Sequence, residues 1–594
     1  MIFSKSFDFN QIQAKKKKVK NLLLSDGRKR IEKRIAILGG STTDEIKDML
    51  ELFLLDNGIL PSFYQSEFNK YWEDVMFDNE ELDTFKPDII YIHTSNRNLS
   101  FKFNMGESVE NISKTLENDF AHFEVMWRKI KEKYNCVIIQ NNFDLCFYRM
   151  LGNKDSYDYH GFNNYIIRMN EKLNEYARSN SDFYICDLLY LQAQHGISRF
   201  SDPKYWYLYK YVVSVPYIPY LSFNVANIIK SLYGKNKKAL ILDLDNTLWG
   251  GVIGDDGVEG IEIGQETPSG QAYSEFQQYL KNYISMGVVL TVNSKNDEEN
   301  ALLGLNHPEG ILKPEDFIII KANWDPKALN NQKIAKELNL GEDALVFIDD
   351  NPAEREICHQ NNPLIETPEI NEVDEYIKTI DSCGFFEVTT FTDDDVKRNA
   401  MYKENKQREE LQSSFDNYDD YLKSLDMCAL IREFDDIYLQ RITQLTNKSN
   451  QFNLTTKRFT DLETLEAKND KDRICLYGKL MDKFGDNGVV TVVIGKKESE
   501  DVLGIELWLM SCRVLKRGIE EAMLDMLVKK AKEKGFKKLR GYYFKTAKNN
   551  MMRYLYKSFG FELVSEKENL DSIWELDISS YKNKNKFIEV IEHE

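Results

Sequence analysis

Three short apolar runs, each of strand length and each ending in polar residues, constrain this chain more than any other feature: KALILDLD (238–245), GVVLTVNS (287–294) and ALVFIDDN (344–351). Amphipathic stretches such as GQAYSEFQQYLKNYISMG (270–287) separate them, which is the pattern of parallel strands joined by helical crossovers. In such a sheet ligands bind beyond the carboxyl ends of the strands. The three runs deliver Asp243 and Asp245, then Ser294, then Asp349 and Asp350 to that edge. Carboxylates gathered at the end of an apolar strand repel one another and are costly to desolvate, so they need a cation among them. A hard divalent ion such as Mg²⁺ takes oxygen ligands and accepts phosphate oxygens in its shell. The expected substrate is therefore a small phosphorylated metabolite. Ser294, by its hydroxyl and neighbouring amides, and Lys327, in ANWDPKALN (322–330), would supply donors to the phosphate. An Asp-x-Asp pair alone is commonly a solvated turn, and it is the convergence of three strand ends that points to a site. The chain has no P-loop pattern, so nucleoside triphosphate use is not indicated.

At 594 residues the chain should hold several cores. Residues 1–235 repeat the strand-and-helix pattern through RIAILGG (34–40), PDIIYIHT (87–94), NCVIIQNN (135–142) and DFYICDLL (182–189), which predicts a first parallel α/β domain. Residues 236–390 hold the three opening runs. Residues 391–425 are charged and nearly free of large aliphatics, which reads as an exposed helical linker. In residues 426–594, the apolar alternation of GVVTVVIG (488–495) and GIELWLMS (504–511) and a long amphipathic helix near 517–534 predict an antiparallel α+β domain ending in a partly ordered lysine-rich tail. The fold class is multidomain α/β. A net charge of −18 argues against a general nucleic-acid binder. No apolar run approaches membrane-spanning length, and the eight scattered cysteines form no Cys-x-x-Cys pair. A cytoplasmic protein with reduced thiols and no membrane partner is expected.

DLDNT (243–247), the serine of TVNS, the lysine of NWDPK and the acids of FIDDNP match, in order, the four motifs of the haloacid dehalogenase (HAD) superfamily of phosphatases. The extended stretches DLDNTLWGGVIGDDG and FIDDNPAER resemble its FkbH-like subgroup more narrowly. The resemblance implies that Asp243 takes the phosphoryl group as an aspartyl phosphate and that Asp245 protonates the leaving oxygen, then activates water. It implies phosphate binding by Thr247, Ser294 and Lys327, and a Mg²⁺ shell from Asp243, Asp349, Asp350 and the backbone carbonyl of Asp245. True dehalogenases need neither the second acid nor a metal, so Asp245 favours phosphoryl chemistry.

The flanking segments resemble other families. RIAILGGSTT, with Ser41 after a first strand, is similar to the opening block of SGNH-type hydrolases, and Asn142 is placed as their asparagine. The Asp-x-x-His of that family is missing: Asp202 has no histidine three residues on, which implies a degenerate scaffold or docking domain. The C-terminal segment resembles GNAT acyltransferases. There a loop of the form Arg/Gln-x-x-Gly-x-Gly/Ala cradles the pyrophosphate of coenzyme A at a helix N-terminus. Here Arg513, Lys516, Arg517 and Gly518 occupy it, with Lys516 in place of the first glycine and Cys512 just before it. Coenzyme A or the phosphopantetheine arm of an acyl carrier protein is the implied ligand, and Cys512 a candidate acyl carrier. FkbH-like relatives are associated with removing phosphate from a phosphorylated glycerate and loading the glyceryl group onto a carrier-protein thiol in secondary-metabolite or polysaccharide biosynthesis. The other readings are a sugar-phosphate or nucleotide-sugar precursor phosphatase with structural flanks, and a catalytically silent scaffold.

Overall fold

The computed structural model of the chain describes residues 7–28, 30–449, 452–546 and 549–592. The chain divides into two compact units, residues 1–232 and 233–594.

The first unit is built on five parallel strands: β1 (Ile31–Gly39), β2 (Ile59–Gln65), β3 (Ile89–His93), β4 (Val137–Asn141) and β5 (Phe183–Cys186), in the order β2-β1-β3-β4-β5. The sequence runs mark four of these strands. The fifth, β2, reads ILPSFYQ, and its Pro61 argues against a strand interior. Its edge position removes the objection, since an edge strand can leave one side unpaired. The basic N-terminal run forms the helix Phe9–Ser25, whose Leu23 packs on Leu52 and Leu55 while Lys20 pairs with Glu51 at 2.8 Å.

The second unit holds two sheets. Four parallel strands, β6 (Ala239–Leu242), β7 (Val289–Ser294), β8 (Phe317–Ala322) and β9 (Leu345–Ile348), lie in the order β8-β7-β6-β9. β6 and β9 are fully buried, as continuous apolar strands of a covered parallel sheet must be. β8, FIIIKA, is the strand missing from the sequence reading.

The other sheet is mixed: β10 (Met427–Glu433), β11 (Phe452–Asn453), β12 (Arg473–Asp482), β13 (Gly485–Lys497), β14 (Val502–Met510), β15 (Lys538–Tyr543), β16 (Glu562–Glu566), β17 (Ser572–Asp577) and β18 (Ile588–Ile591). Its order is β16-β17-β15-β14-β13-β12-β10-β18, with β11 against the end of β14. The run 488–495 is buried throughout because both faces of β13 are covered: Val490 and Val493 enter one core, Val489, Val492 and Ile494 the other. The lysine-rich tail is not loose over its described part. It adds β18 in parallel to β10, and Asp525 accepts hydrogen bonds from the Lys584 and Asn585 amides and the Tyr581 hydroxyl.

The stretch 391–425 is helical over Asp393–Val396, Arg398–Gln412 and Tyr418–Ser424, and much of its surface is exposed, but some of its charged residues are enclosed. Arg408 is buried and grips Asp482, whose side chain is enclosed, with two nitrogens at 2.8 and 2.7 Å. Arg408 and Asp395 form internal ion pairs that composition alone does not distinguish from solvated charges. Among the described residues no helix is long and apolar enough to cross a membrane.

Candidate active site

The β6 strand is apolar because it is central and covered, and it stops where the chain must turn. Asp243 still donates its backbone N–H to Ile348 on β9 at 3.0 Å, which fixes the Asp243 side chain beside the end of that strand. A tight loop follows. Asn246 sits at φ +52° and Gly251 at φ +91°, and the Asn246 side chain accepts from the Gly251 N–H at 2.9 Å. A Cβ at Gly251 would lie 2.7 Å from an Asp256 carboxylate oxygen, so position 251 requires glycine on two counts.

One oxygen of Asp243, Asp349 and Asp350 each lies within 4.8 Å of the others. Lys327, the first residue of the helix Lys327–Glu337, reaches Asp243 at 2.8 Å and Asp349 at 2.6 Å. That helix is fastened to β7 by buried asparagines: the Asn293 amide donates to the Lys327 carbonyl at 2.9 Å and to Asn331 at 2.7 Å. Arg355 holds the other lip, donating to the carbonyls of Asp349 and Asp350, both at 2.7 Å. Both oxygens of Asp349 have partners, Lys327 and the Asn351 N–H. Asp243 differs: its Oδ1 is buried with no hydrogen-bond partner. Three carboxylates and one ammonium leave two negative charges uncompensated, and the orphaned oxygen faces that deficit. Oxygen donors and a missing double positive charge are what a Mg²⁺ ion requires, so the residues fit the metal. Burial raises Asp349 to about 6, Asp243 adds to the rise and Lys327 opposes it. Burial and then Asp243 likewise raise Asp350. For Lys327 burial acts downward, but the two carboxylates prevail and hold it protonated.

The Asp245 side chain stands apart from this cluster. Its Oδ1 accepts from the Trp249 indole N–H and the Ile253 N–H, both at 3.0 Å, and its Oδ2 from the Asn296 amide at 3.1 Å. Burial raises Asp245, opposed by the bonds from Ile253 and Trp249. A carboxyl raised by burial and fixed in direction is suited to carry a proton. Asn296 is absent from the sequence reading, although it lies two residues past Ser294 in the polar run NSKND. Ser294 is buried at the end of β7. Thr247 is turned to Asp350, accepting from its N–H at 3.2 Å and lying 3.4 Å from its carboxylate. Thr247 thereby positions an acid of the cluster.

In the first unit no side-chain hydrogen bond joins Ser41 to Asn142. Ser41 is buried with its Oγ unpartnered, and it is Asn98, not Asn142, that lies against the adjoining Gly40, donating to its carbonyl at 3.4 Å. Asn142 donates to Asp187 at 2.7 Å and accepts from the Leu189 N–H at 3.0 Å, so it tethers a helix start. His93 is buried against Tyr91 and Asn141, and burial holds it down to about 4. His195 packs against Phe200, Tyr217 and Tyr220. Asp202 caps the helix Pro203–Tyr209.

The basic loop of the C-terminal sheet also departs from expectation. Lys516 (φ +64°) and Gly518 (φ +91°) do expose amides at the start of the helix Ile519–Glu533, but the Glu520 carboxylate takes them, at 2.8 and 3.2 Å. Arg517 is engaged by Asp482 at 3.2 Å and Asn405 at 3.0 Å. The pyrophosphate cradle expected for coenzyme A is filled by a carboxylate of the chain itself. Cys512 and Arg513 face elsewhere, into a cavity on the side of the four-stranded sheet.

Residues 34–230 match the family model described as FkbH, N-terminal domain. None of the curated proteins matches the chain. Among solved structures, the chain is similar to the N-terminal part of the Bacteroides fragilis protein BF1531, described as containing a phosphatase domain complexed with Mg, with 27% identity and a TM-score of 0.59 over 65% of this chain and 100% of that one. It is also matched to a GNAT family acetyltransferase from Elizabethkingia anophelis with acetyl-CoA bound, with 14% identity and a TM-score of 0.15 over 18% of this chain and 76% of that one, a likeness too slight to bear on the third sheet. The first unit is thus similar to FkbH N-terminal domains, and 65% of the chain to a structure described as containing a phosphatase domain complexed with Mg.

Proposed function

We propose that the chain is a magnesium-dependent phosphohydrolase of HAD type acting on a small phosphorylated metabolite. The observation that carries the reading is the buried, partnerless Asp243 Oδ1 beside Asp349, Asp350 and Lys327. Asp243, Asp350 and Asp349 would hold the ion, which supplies positive charge to the phosphate oxygens. Lys327, already between two carboxylates, would donate to the phosphoryl group alongside Ser294. Asp243 attacks phosphorus and becomes an aspartyl phosphate. Asp245, kept in direction by Asn296, Trp249 and Ile253, gives its proton to the departing oxygen and then takes one from the water that hydrolyses the intermediate. The test is phosphate release across a panel of small phosphorylated metabolites. Activity should vanish in excess chelator and return with Mg²⁺, and undiminished turnover in chelator would refute the assignment.

A second reading couples this site to glyceryl transfer onto a carrier-protein thiol. It is favoured by Cys512, a free thiol lining a cavity that also carries Arg513. A thiolate there would attack the carbonyl of an acyl phosphate, forming a thioester and expelling phosphate. Cys512→Ala should then lose carrier loading while retaining phosphate release from phosphate esters at the acid cluster.

A further inference from the structure

The cavity beside Cys512, of about 360 Å³, lies within the second unit between loops of the four-stranded sheet and the mixed sheet. Asn339 ties the two walls, its amide donating to the Cys512 carbonyl at 3.1 Å. The lining is strongly cationic: Lys235, Lys238, Arg398, Arg441, Lys448 and Arg513 face one lining carboxylate, Asp343. Two further acids stand behind the wall. Asp394 pairs with Arg441 at 2.7 Å, and Asp395 pairs with Lys448 at 3.0 Å and with Arg398. Among the described residues, four of these cations, Arg398, Arg441, Lys448 and Arg513, have only Asp394 and Asp395 between them, an excess of about two positive charges.

Arg513 shows where that excess is concentrated. Its guanidinium bonds the Ser511 hydroxyl at 3.2 Å and the Met401 thioether, and among the described residues no carboxylate pairs with it. A guanidinium carries five donors and no acceptor, and a thioether is a weak partner for one. Crowding of the cations has a second sign: burial, then the charge of Arg398, pushes Lys448 down to about 7. Burial also lowers Arg441 and Arg513. An anion in the cavity would satisfy Arg513 and relieve this repulsion together.

We propose that this cavity is a second anion site, separate from the acid cluster, which binds the phosphate group of a small phosphorylated ligand through Arg513, Arg398 and Lys448. Its volume falls in the range of small-molecule sites, large enough for a phosphate ester and not only for free phosphate. The site needs neither Mg²⁺ nor turnover at Asp243. It also differs from the helix-terminal loop, which Glu520 already fills.

Cys512 is a local reporter, since it lines the cavity. The full-length protein, in excess chelator, is treated with iodoacetamide at matched ionic strength in the presence of inorganic phosphate, glycerol 3-phosphate or glycerol, and alkylation of each cysteine peptide is followed by mass spectrometry. Either phosphate compound should slow modification of Cys512 roughly fivefold or more, with glycerol inert and the part-exposed Cys383 and Cys428 unaffected. The protection should persist in Asp243→Asn and disappear in Arg513→Gln. Protection by the ester alone would mark a site that reads the organic portion as well. An unchanged Cys512 rate, protection by glycerol, or protection retained in Arg513→Gln overturns the proposal. Should Arg513→Gln fail to fold, Lys448→Gln takes its place. As a readout independent of the thiol, phosphate should raise the unfolding midpoint of the native sequence more than that of the variant, and an equal rise in both counts against the site.

Discussion

The carboxyl edges of the two parallel sheets present the same kinds of residue and opposite states of completion. At the edge of the first sheet the amides, imidazole and carboxylates answer one another: Asn142 with Asp187, His93 with Tyr91 and Asn141, Asn96 with Asp144 at 3.0 Å. The Ser41 hydroxyl is left over, with no base bonded to it. At the edge of the four-stranded sheet the supporting residues are equally well bonded, but the centre is left short of positive charge, with a carboxylate oxygen exposed to that shortage. Buried polar groups are normally satisfied within the fold. A neutral hydroxyl left alone costs about 1–3 kcal/mol and calls for no counter-ion, whereas a buried carboxylate among carboxylates costs far more and needs a cation.

The largest test of this contrast is a pair of substitutions. Asp243→Asn should lower phosphate release by about a thousandfold or more and abolish a covalent phosphoenzyme, while Ser41→Ala leaves release unchanged. A Ser41→Ala variant that lost turnover would give the first edge a catalytic role and break the comparison. Asp245→Asn should cost roughly a hundredfold to a thousandfold, with the phosphoenzyme accumulating during turnover. Asn296→Ala, which frees Asp245 without removing it, should cost about tenfold and shift the acid limb of the pH–rate profile, a shift that loss of packing alone would not produce. Persistence of the native pH profile in Asn296→Ala would show that Asp245 is held well enough by Trp249 and Ile253.

The Glu520 loop belongs with the completed edges, since there the chain supplies its own anion. Burial lifts Glu520 from 4.5 to about 7, against the pull of its amide partners. A raised folded-state value contributes stability that is full below about pH 4.5 and is lost as the pH rises through about 7. Glu520→Gln should therefore reduce the fall in unfolding free energy between pH 4.5 and pH 8 by at most about 3 kcal/mol, read from denaturant titrations at each pH. An unaltered pH dependence would mean that the carboxylate is not confined as the geometry has it. The smallest effect is expected at Asn142. Asn142→Ala, by stranding the Leu189 N–H, should cost about 1–2 kcal/mol of stability without changing phosphate release.

Much of the candidate site was legible because its residues follow directly on apolar strands. Asp243, Ser294, Asp349 and Asp350 are each anchored to a strand end by sequence alone, and Lys327 by its place at the start of a helix. Asn296 was not legible: its role depends on an amide from one crossover meeting a carboxylate from another, and neither local sequence names its partner. The same reason explains the charged segment 391–425. Composition distinguishes charged from apolar, but it does not tell a solvated Arg408 from one enclosed with Asp482, 74 residues away.

The amino-acid sequence by itself determined that the chain would form α/β layers and that one sheet would end in a gathering of acids, because strand periodicity and the residues at strand ends are local properties. Tertiary structure decided which polar residues were already matched. It placed Glu520 in the loop where an outside anion was expected, tied Asn142 to Asp187 and Leu189, set β18 on the edge of the mixed sheet, left Asp243 Oδ1 without a partner and gave Arg513 only a hydroxyl and a thioether. The physical reason is that hydrogen bonds and ion pairs are satisfied by proximity in space, so whether a buried charge needs a ligand is fixed only when distant segments have packed around it.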